Sequence, residues 1–378
     1  MVILRSSLGG LTKWEIRGAF SLTVPPSALD HARRGRQYGV LSLREGRTTM
    51  SRRLPAIIAA AALAGAGAAL ANDTTASTGA GGLVLEKTSA IIMASEDLYV
   101  SATRIRIRYV FRNVTAAPVT TIVAFPMPDR PMSDEYGGDV AFPSAFRTTV
   151  EGKPVKAMLE RKAIANRKNQ RALLDSLGIP IAPQSINAAT KAMDRLTPAN
   201  KARVVAAGLA GEEEWDDDGK GMKRHLVPLW TVQDRFYWTQ TFPAGRDLKV
   251  EHAYVPGAGG SVMTEFAVKA LRDTEDGRWA KARYCPDAAF FAAIDKRIGA
   301  SDRDPGLPDW RIDYVLTTGA NWAMPIGDFR LVVDKGRPGN LVSFCATGVR
   351  KISPTQFEVR HRNWRPTQDL HVIIVEPR

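Results

Sequence analysis

Two sets of side chains in this 378-residue chain stand at spacings suited to chemistry. The first is Thr317-Thr318-Gly319-Ala320-Asn321-Trp322-Ala323-Met324-Pro325-Ile326-Gly327-Asp328, which joins two strand-like segments and offers an amide, an indole and a carboxylate. Loops held on rigid scaffolds are where binding groups concentrate, so Asn321, Trp322 and Asp328 are its candidate binding residues. A plainer expectation stands beside this one, in which Trp322 closes the end of a sandwich and Asp328 makes a side-chain turn. The second set is Arg104, Arg106, Arg108 and Arg112. Strand alternation puts these guanidinium groups on one face about 7 Å apart, a spacing that suits an anionic polymer or lipid headgroup. The plainer expectation here is cross-strand pairing with acidic neighbours.

Other constellations argue mostly by what they lack. The sequence has no HExxH, no glycine-rich loop before a lysine, no GxSxG and no four-ligand Cys and His cluster. His225, His252, His361 and His371 are too widely spaced for a local metal motif, and His252 and His371, on or beside strands, read as hydrogen-bonded structural groups. The acidic run Glu212-Glu213-Glu214-Trp215-Asp216-Asp217-Asp218-Gly219 holds oxygen ligands suited to calcium but lacks their alternation, so it reads as a solvated linker. Glycosidic chemistry needs two placed carboxyls, for which Asp328 and Glu265 are the candidates. No catalytic residue, metal ligand or cofactor is assigned, and the reading leans against an enzyme.

The elements that must position these groups are mainly strands. Arg104 to Arg112 alternates strictly, apolar on one side, and Val119 to Phe125 reads as its partner across a turn at Ala116-Ala117-Pro118. Leu83 to Met93 and Phe146 to Val150, the latter ending in the Glu151-Gly152-Lys153-Pro154 turn, complete a small antiparallel sheet. Leu159 to Leu177, Ser185 to Leu196 and the Thr197-capped segment from Pro198 to Gly208 read as helices. Trp230 to Phe242 and Leu248 to Val255 read as a hairpin around Pro243-Ala244-Gly245-Arg246. Further strands are expected at 311–317, 329–334, 341–346, 356–360 and 370–375, with a helix from Pro286 to Ile298. The expected fold is β-rich (α+β), with antiparallel β-sandwich-like units and a helical insertion. A first β region covers 72–154, the insertion with its acidic linker 155–224, and a second β region 225–378.

The net charge of +13 is unevenly placed. Residues 1–71 hold ten basic and three acidic residues, so about half of the excess lies there. Met50-Ser51-Arg52-Arg53 precedes the uncharged run from Leu54 to Leu70, which ends in Ala69-Leu70-Ala71. A basic start, an apolar stretch and an A-x-A triplet are the three parts of a secretory signal, so 50–71 is expected to be removed. Residues 1–49 show no sustained period and read as a mis-annotated leader upstream of the true start. A periplasmic or secreted location follows. Cys285 and Cys345, the only cysteines, are then expected to pair in an oxidising compartment, closing a loop of about 60 residues worth about 4 kcal/mol.

Several segments carry a resemblance: Gly79 to Leu85, Met93 to Val100, Pro228-Leu229-Trp230-Thr231-Val232, Phe236-Tyr237-Trp238, Phe242-Pro243-Ala244-Gly245, Tyr314 to Gly336, and the pairs Tyr284-Cys285 and Phe344-Cys345. Together they resemble an exported bacterial family known only as a domain of unknown function, DUF4424, over about Asn72 to Arg378. The resemblance implies an exported protein and supplies no activity, cofactor or catalytic residue. The expected function is non-enzymatic binding of an envelope protein or anionic polymer, without nucleic acid and without a transmembrane anchor after signal cleavage. The alternative is a carboxylate-dependent hydrolase of envelope material.

Overall fold

The computed structural model describes residues 5–8, 11–14, 73–79, 82–132, 142–182, 186–217, 219–299 and 307–377. The chain divides into two units, Met1–Gly65 and Ala66–Arg378. In the first, a hairpin joins Arg5–Leu8 to Leu11–Trp14. The rest of the expected leader, and the expected signal segment with its Ala69-Leu70-Ala71 triplet, lie outside the described residues.

The second unit is built on an eight-stranded sheet. Its order is Lys153–Val155, Ser144–Val150, Asp247–Val255, Ile105–Asn113, Ile91–Val100, Ile326–Asp334, Gln356–Trp364 and Arg350–Lys351. All neighbours are antiparallel except Ile326–Asp334, which runs parallel to Ile91–Val100. A seven-stranded sheet is centred on the long strand Thr231–Phe242, flanked by Met158–Ala165 and Val119–Pro126. A four-stranded sheet runs Gly259–Ser261, Asp309–Tyr314, Leu370–Val375 and Leu341–Phe344. The fold is thus strand-rich, with sandwiched antiparallel sheets and few helices, as the alternation predicts.

The arginine-rich strand shows why the sheets stack this way. Ile105, Ile107, Tyr109 and Phe111 are at most 1% exposed, whereas Arg104, Arg108 and Arg112 face solvent. A one-residue slip would exchange those two sets and bury guanidinium groups without partners, so the register is strongly specified. The apolar face packs on Val123, Phe125, Trp238 and Phe242 of the seven-stranded sheet and on Ile312, Tyr314, Val372 and Ile374 of the four-stranded sheet. One core therefore lies beneath the large sheet, with strands from both ends of the chain around it. The other face of the four-stranded sheet presents Ile373 and Val375 to helices Glu275–Tyr284 and Ala288–Ile298.

Four local expectations are corrected. The turns at Ala116-Ala117-Pro118 and Pro243-Ala244-Gly245-Arg246 do not close hairpins, because in each case the flanking strands lie in different sheets. Asn113 marks both corners: its buried amide donates to Ala117 O at 2.8 Å and Phe242 O at 3.0 Å, and its carbonyl accepts Gly245 N–H at 3.1 Å. Alternation followed by a tight turn describes a hairpin and a sheet-to-sheet corner equally well. Leu83 to Met93 is likewise two strands in two sheets, Gly82–Glu86 and Ile91–Val100, parted at residues 87–90.

Leu159 to Leu177 is a strand, a left-handed turn and a short helix. Met158–Ala165 pairs along Thr231–Phe242, Asn166 and Arg167 reverse the chain at φ 49° and 61°, and the helix covers only Arg171–Ser176. Tertiary pairing overrides the helical preference of its Ala, Leu and Lys residues, helped by the two-pronged Arg161–Asp234 contact at 2.6 Å. The acidic linker is a strand too: Ala210–Trp215 pairs with Lys223–Pro228, so that Glu212 and Glu214 meet Arg224. Helices Ile186–Asp194 and Pro198–Ala206 form as expected, the second capped by Thr197 Oγ1, which accepts Asn200 N–H at 3.3 Å. The Glu151-Gly152 turn also forms, with both residues left-handed.

Candidate binding cleft

A cleft of about 400 Å³ opens between the large sheet and the end of the four-stranded sheet. Strand Ile326–Asp334 supplies Phe329 and Leu331 from its inner face, and strand Gln356–Trp364 supplies Val359, His361 and Trp364. Opposite them stand Cys345, Ala346 and Thr347, just past strand Leu341–Phe344, and the segment Thr367-Gln368-Asp369-Leu370. The aromatic groups form a column: ring centroids lie 4.4 Å apart for Phe329 and Trp364, and 5.1 Å apart for His361 and Trp364, at an interplanar angle of 28°. Asn363, left-handed at φ 49°, bends the strand just before Trp364.

Two devices hold the rim. Asp369 Oδ1 accepts the Leu316 and Thr317 backbone N–H groups at 3.1 Å and the Thr317 hydroxyl at 2.9 Å, pinning the start of the Thr317–Asn321 turn. The disulfide Cys285–Cys345, with Cα atoms 5.0 Å apart, ties the end of helix Glu275–Tyr284 to the end of strand Leu341–Phe344 and lines the wall. The expected pairing of the two cysteines is therefore present. Among the described lining residues Asp369 alone carries a fixed charge, and no Lys or Arg lines the cleft. Such a surface accepts an apolar body with a few hydrogen-bonding groups and disfavours an anion.

The residues singled out from the sequence go elsewhere. Trp322 is 2% exposed and packs at a tilt against Phe111, ring centroids 4.6 Å apart, with its Nε1 buried without a hydrogen-bond partner. Asn321 Nδ2 donates to Thr74 Oγ1 at 3.1 Å, and its carbonyl accepts Thr88 N–H, stitching the turn to the start of the seven-stranded sheet. Asp328 is exposed on the large sheet, in register with Arg362 and Ser95. The three do not converge. Glu265 lies on the short helical turn Glu265–Ala267 and is bound to Arg311 of the four-stranded sheet, whereas Asp328 is on the large sheet.

The arginine face is part of a row of alternating charge. Arg108 Nε donates to Glu251 at 2.9 Å, and Arg112 grips Asp247 through two nitrogens at 2.6 and 3.1 Å. Asp97 stands opposite Arg108 on the next strand and accepts Arg330 Nη1 at 3.0 Å, while Arg330 Nε donates to Glu358 at 2.8 Å. Arg330, Arg350 and Arg360 together hold the Glu358 carboxyl down to about 2. Arg106 lies over the Tyr99 ring at 5.8 Å, and Arg104 is exposed.

The remaining described histidines have carboxylate partners. His225 Nδ1 lies 2.7 Å from Asp194, with the Trp215 ring stacked on the imidazole at 3.8 Å. His252 is fully buried between Asp73 and Thr148, and His371 Nδ1 lies 2.8 Å from Asp313. Among the described residues no group of three or more His, Cys, Asp or Glu is placed to hold a metal ion.

Sheets stacked around one core, with a cleft at their junction, define a β-sandwich protein. The chain belongs to the family described as a domain of unknown function, DUF4424, whose model matches residues 71–373. No curated protein matches it. Among solved structures, it is similar to a "putative nutrient binding protein" of Legionella pneumophila at 16% identity, covering 80% of this chain and 72% of that one, with a TM-score of 0.38. It is also similar to an M1 zinc metallopeptidase of Deinococcus radiodurans at 7% identity, covering 76% of this chain and 43% of that one, with a TM-score of 0.24. Both scores are too low for a shared fold to follow.

Proposed function

We propose that this protein works outside the cytoplasm as a non-enzymatic binder of a small, uncharged, largely apolar ligand or envelope component, held in the cleft beside Cys285–Cys345. The single observation that carries the reading is the Phe329–His361–Trp364 column facing Thr347, Thr367 and Gln368 across that cleft. Aromatic faces supply contact area at low entropic cost, and the hydroxyl and amide groups orient what they contact. The extracytoplasmic reading is supported by the three-part leader, by the disulfide, and by a family match that begins beside the Ala69-Leu70-Ala71 triplet. Among the described residues no helix is long and apolar enough to cross a membrane. An anionic polymer fits less well, because Arg108 and Arg112 are already paired with carboxylates.

The test is a thermal-shift screen of uncharged metabolites and envelope fragments on the processed chain, repeated on Trp364→Ala. A compound that raises the midpoint of wild type and loses at least about tenfold in affinity on Trp364→Ala is the expected result, since hot-spot aromatic truncations cost 2 kcal/mol or more. Absence of any hit, or hits indifferent to the substitution, would overturn the reading.

A further inference from the structure

A second group of polar side chains lies on the face of the four-stranded sheet that is turned towards the helices, away from the cleft. Asp313 and His371 are register partners on neighbouring strands of that sheet. Asp313 Oδ1 lies 2.8 Å from His371 Nδ1 and also accepts Arg283 Nη2 at 2.8 Å from helix Glu275–Tyr284. A second guanidinium, Arg130, arrives from the seven-stranded sheet and feels the same carboxylate. Its Nη2 donates to the Gly257 carbonyl at 2.5 Å, and its Nε is buried with no hydrogen-bond partner.

The charges do not balance locally. One guanidinium and one imidazole touch the Asp313 carboxylate, and Arg130 brings a second guanidinium into its field. The neighbouring acids are committed elsewhere: Asp129 accepts Gln233 Nε2 at 2.8 Å and faces Arg235, while Asp309 and Glu265 both hold Arg311. A withdrawn guanidinium with an unfilled donor is costly unless an acceptor completes it. The group is also reachable, since the side chains of Asp313, His371 and Arg283 keep 23%, 25% and 26% of their exposure. Asp313 is held ionised down to about 2, against its burial, by the His371 hydrogen bond and the Arg283 and Arg130 charges. It therefore accepts the His371 Nδ1–H, and Nε2 can donate to an anion when it too carries a proton.

We propose that Arg130, Arg283 and His371 form a binding site for a small oxyanion, a carboxylate or a phosphate group, distinct from the apolar cleft. Guanidinium forks match both groups through paired N–H···O contacts, which an ammonium cannot reproduce. The site does not depend on the cleft having a ligand.

The experiment is calorimetric titration of the processed chain with inorganic phosphate and, separately, with acetate, alongside imidazole NMR of His371. Expected are saturable binding of at least one anion, a shift of the His371 ring resonances, and a loss of about tenfold or more in affinity on Arg283→Gln, the size of a charged hydrogen bond. Arg112→Gln, which alters an exposed pair on the far side of the large sheet, should leave affinity unchanged. Preference for phosphate or for acetate assigns the group. If Arg283→Gln fails to fold, the His371 shift on wild type decides alone. No saturable binding of either anion, an unmoved His371 ring, or equal losses in the two variants would overturn the proposal.

Discussion

His252 Nε2 lies 3.1 Å from both carboxylate oxygens of Asp73, and neither side chain has any exposure. The contact joins the large sheet to the residue just before strand Thr74–Gly79 of the seven-stranded sheet, in a pocket walled by Phe125, Phe146 and Trp238. Burial raises the Asp73 carboxyl, while the His252 charge and hydrogen bond pull it down. Removing His252 takes away the charge and hydrogen bond that hold the buried Asp73 carboxyl down. His252→Ala should therefore lower unfolding free energy by about 3–5 kcal/mol at neutral pH, measured by urea denaturation. A carboxyl raised in the folded state gives its full contribution below the unfolded value of 3.8 and loses it as pH rises through the folded one. The variant should accordingly recover part of wild-type stability as the solution is acidified towards 3.8.

Acid should act oppositely through Asp313. Its carboxyl falls from 3.8 in the unfolded chain to about 2 in the folded protein, so its contribution is complete above 3.8 and disappears as pH falls through about 2. The shift corresponds to roughly 2 kcal/mol. Asp313→Asn should flatten the stability profile between pH 4 and 2 relative to wild type, as followed by tryptophan fluorescence. An unchanged profile would remove Asp313 from the acid response.

Gly327 sits where strand Ile326–Asp334 first meets the irregular stretch between Met93 and Ser95. A Cβ there would stand 2.5 Å from the Ala94 carbonyl oxygen, a backbone atom that cannot swing aside. Gly327→Ala should cost about 1–3 kcal/mol by overpacking, and Ser95 should lose amide-exchange protection before distant strands do. Wild-type stability in that variant would mean the two strands separate freely.

The disulfide should be worth about 4 kcal/mol on the chain-entropy account of a 60-residue loop. The double variant Cys285→Ser, Cys345→Ser should melt several degrees lower in calorimetry. It should also weaken any cleft ligand, because the bridge forms part of the wall. Equal melting of reduced and oxidised protein would refute the first statement, and unchanged ligand affinity the second.

What could be read from the sequence follows the range of the signal. Period-two segments such as Ile105 to Phe111 carry their own register, so burial of the apolar set and exposure of Arg104 and Arg108 were legible. Sheet membership was not, because the corners held by Asn113 look like hairpin turns in one dimension. The helical reading of Leu159 to Leu177 failed because its residues take their conformation from a strand some 70 positions later. The cleft was hidden for a similar reason. Phe329 reads as an ordinary strand residue, and the expected strand 356–360 stops short of His361 and Trp364, which join Phe329 only when the two strands pair. Trp322, offered either as a binding indole or as the plug of a sandwich, lies in the core.

The parallel pairing of Ile326–Asp334 with Ile91–Val100 also fixes an order of events. Asp97 and Arg330, hydrogen-bonded across it, are 233 residues apart. A chain delivered from its N-terminus presents strand Ile91–Val100 early, yet one hydrogen-bonding edge of that strand stays open until nearly the whole polypeptide has emerged. During that interval the nascent molecule carries an unsatisfied strand edge, which other chains can join. Whatever keeps this protein productive during its synthesis must shield that edge until residues 326–334 arrive.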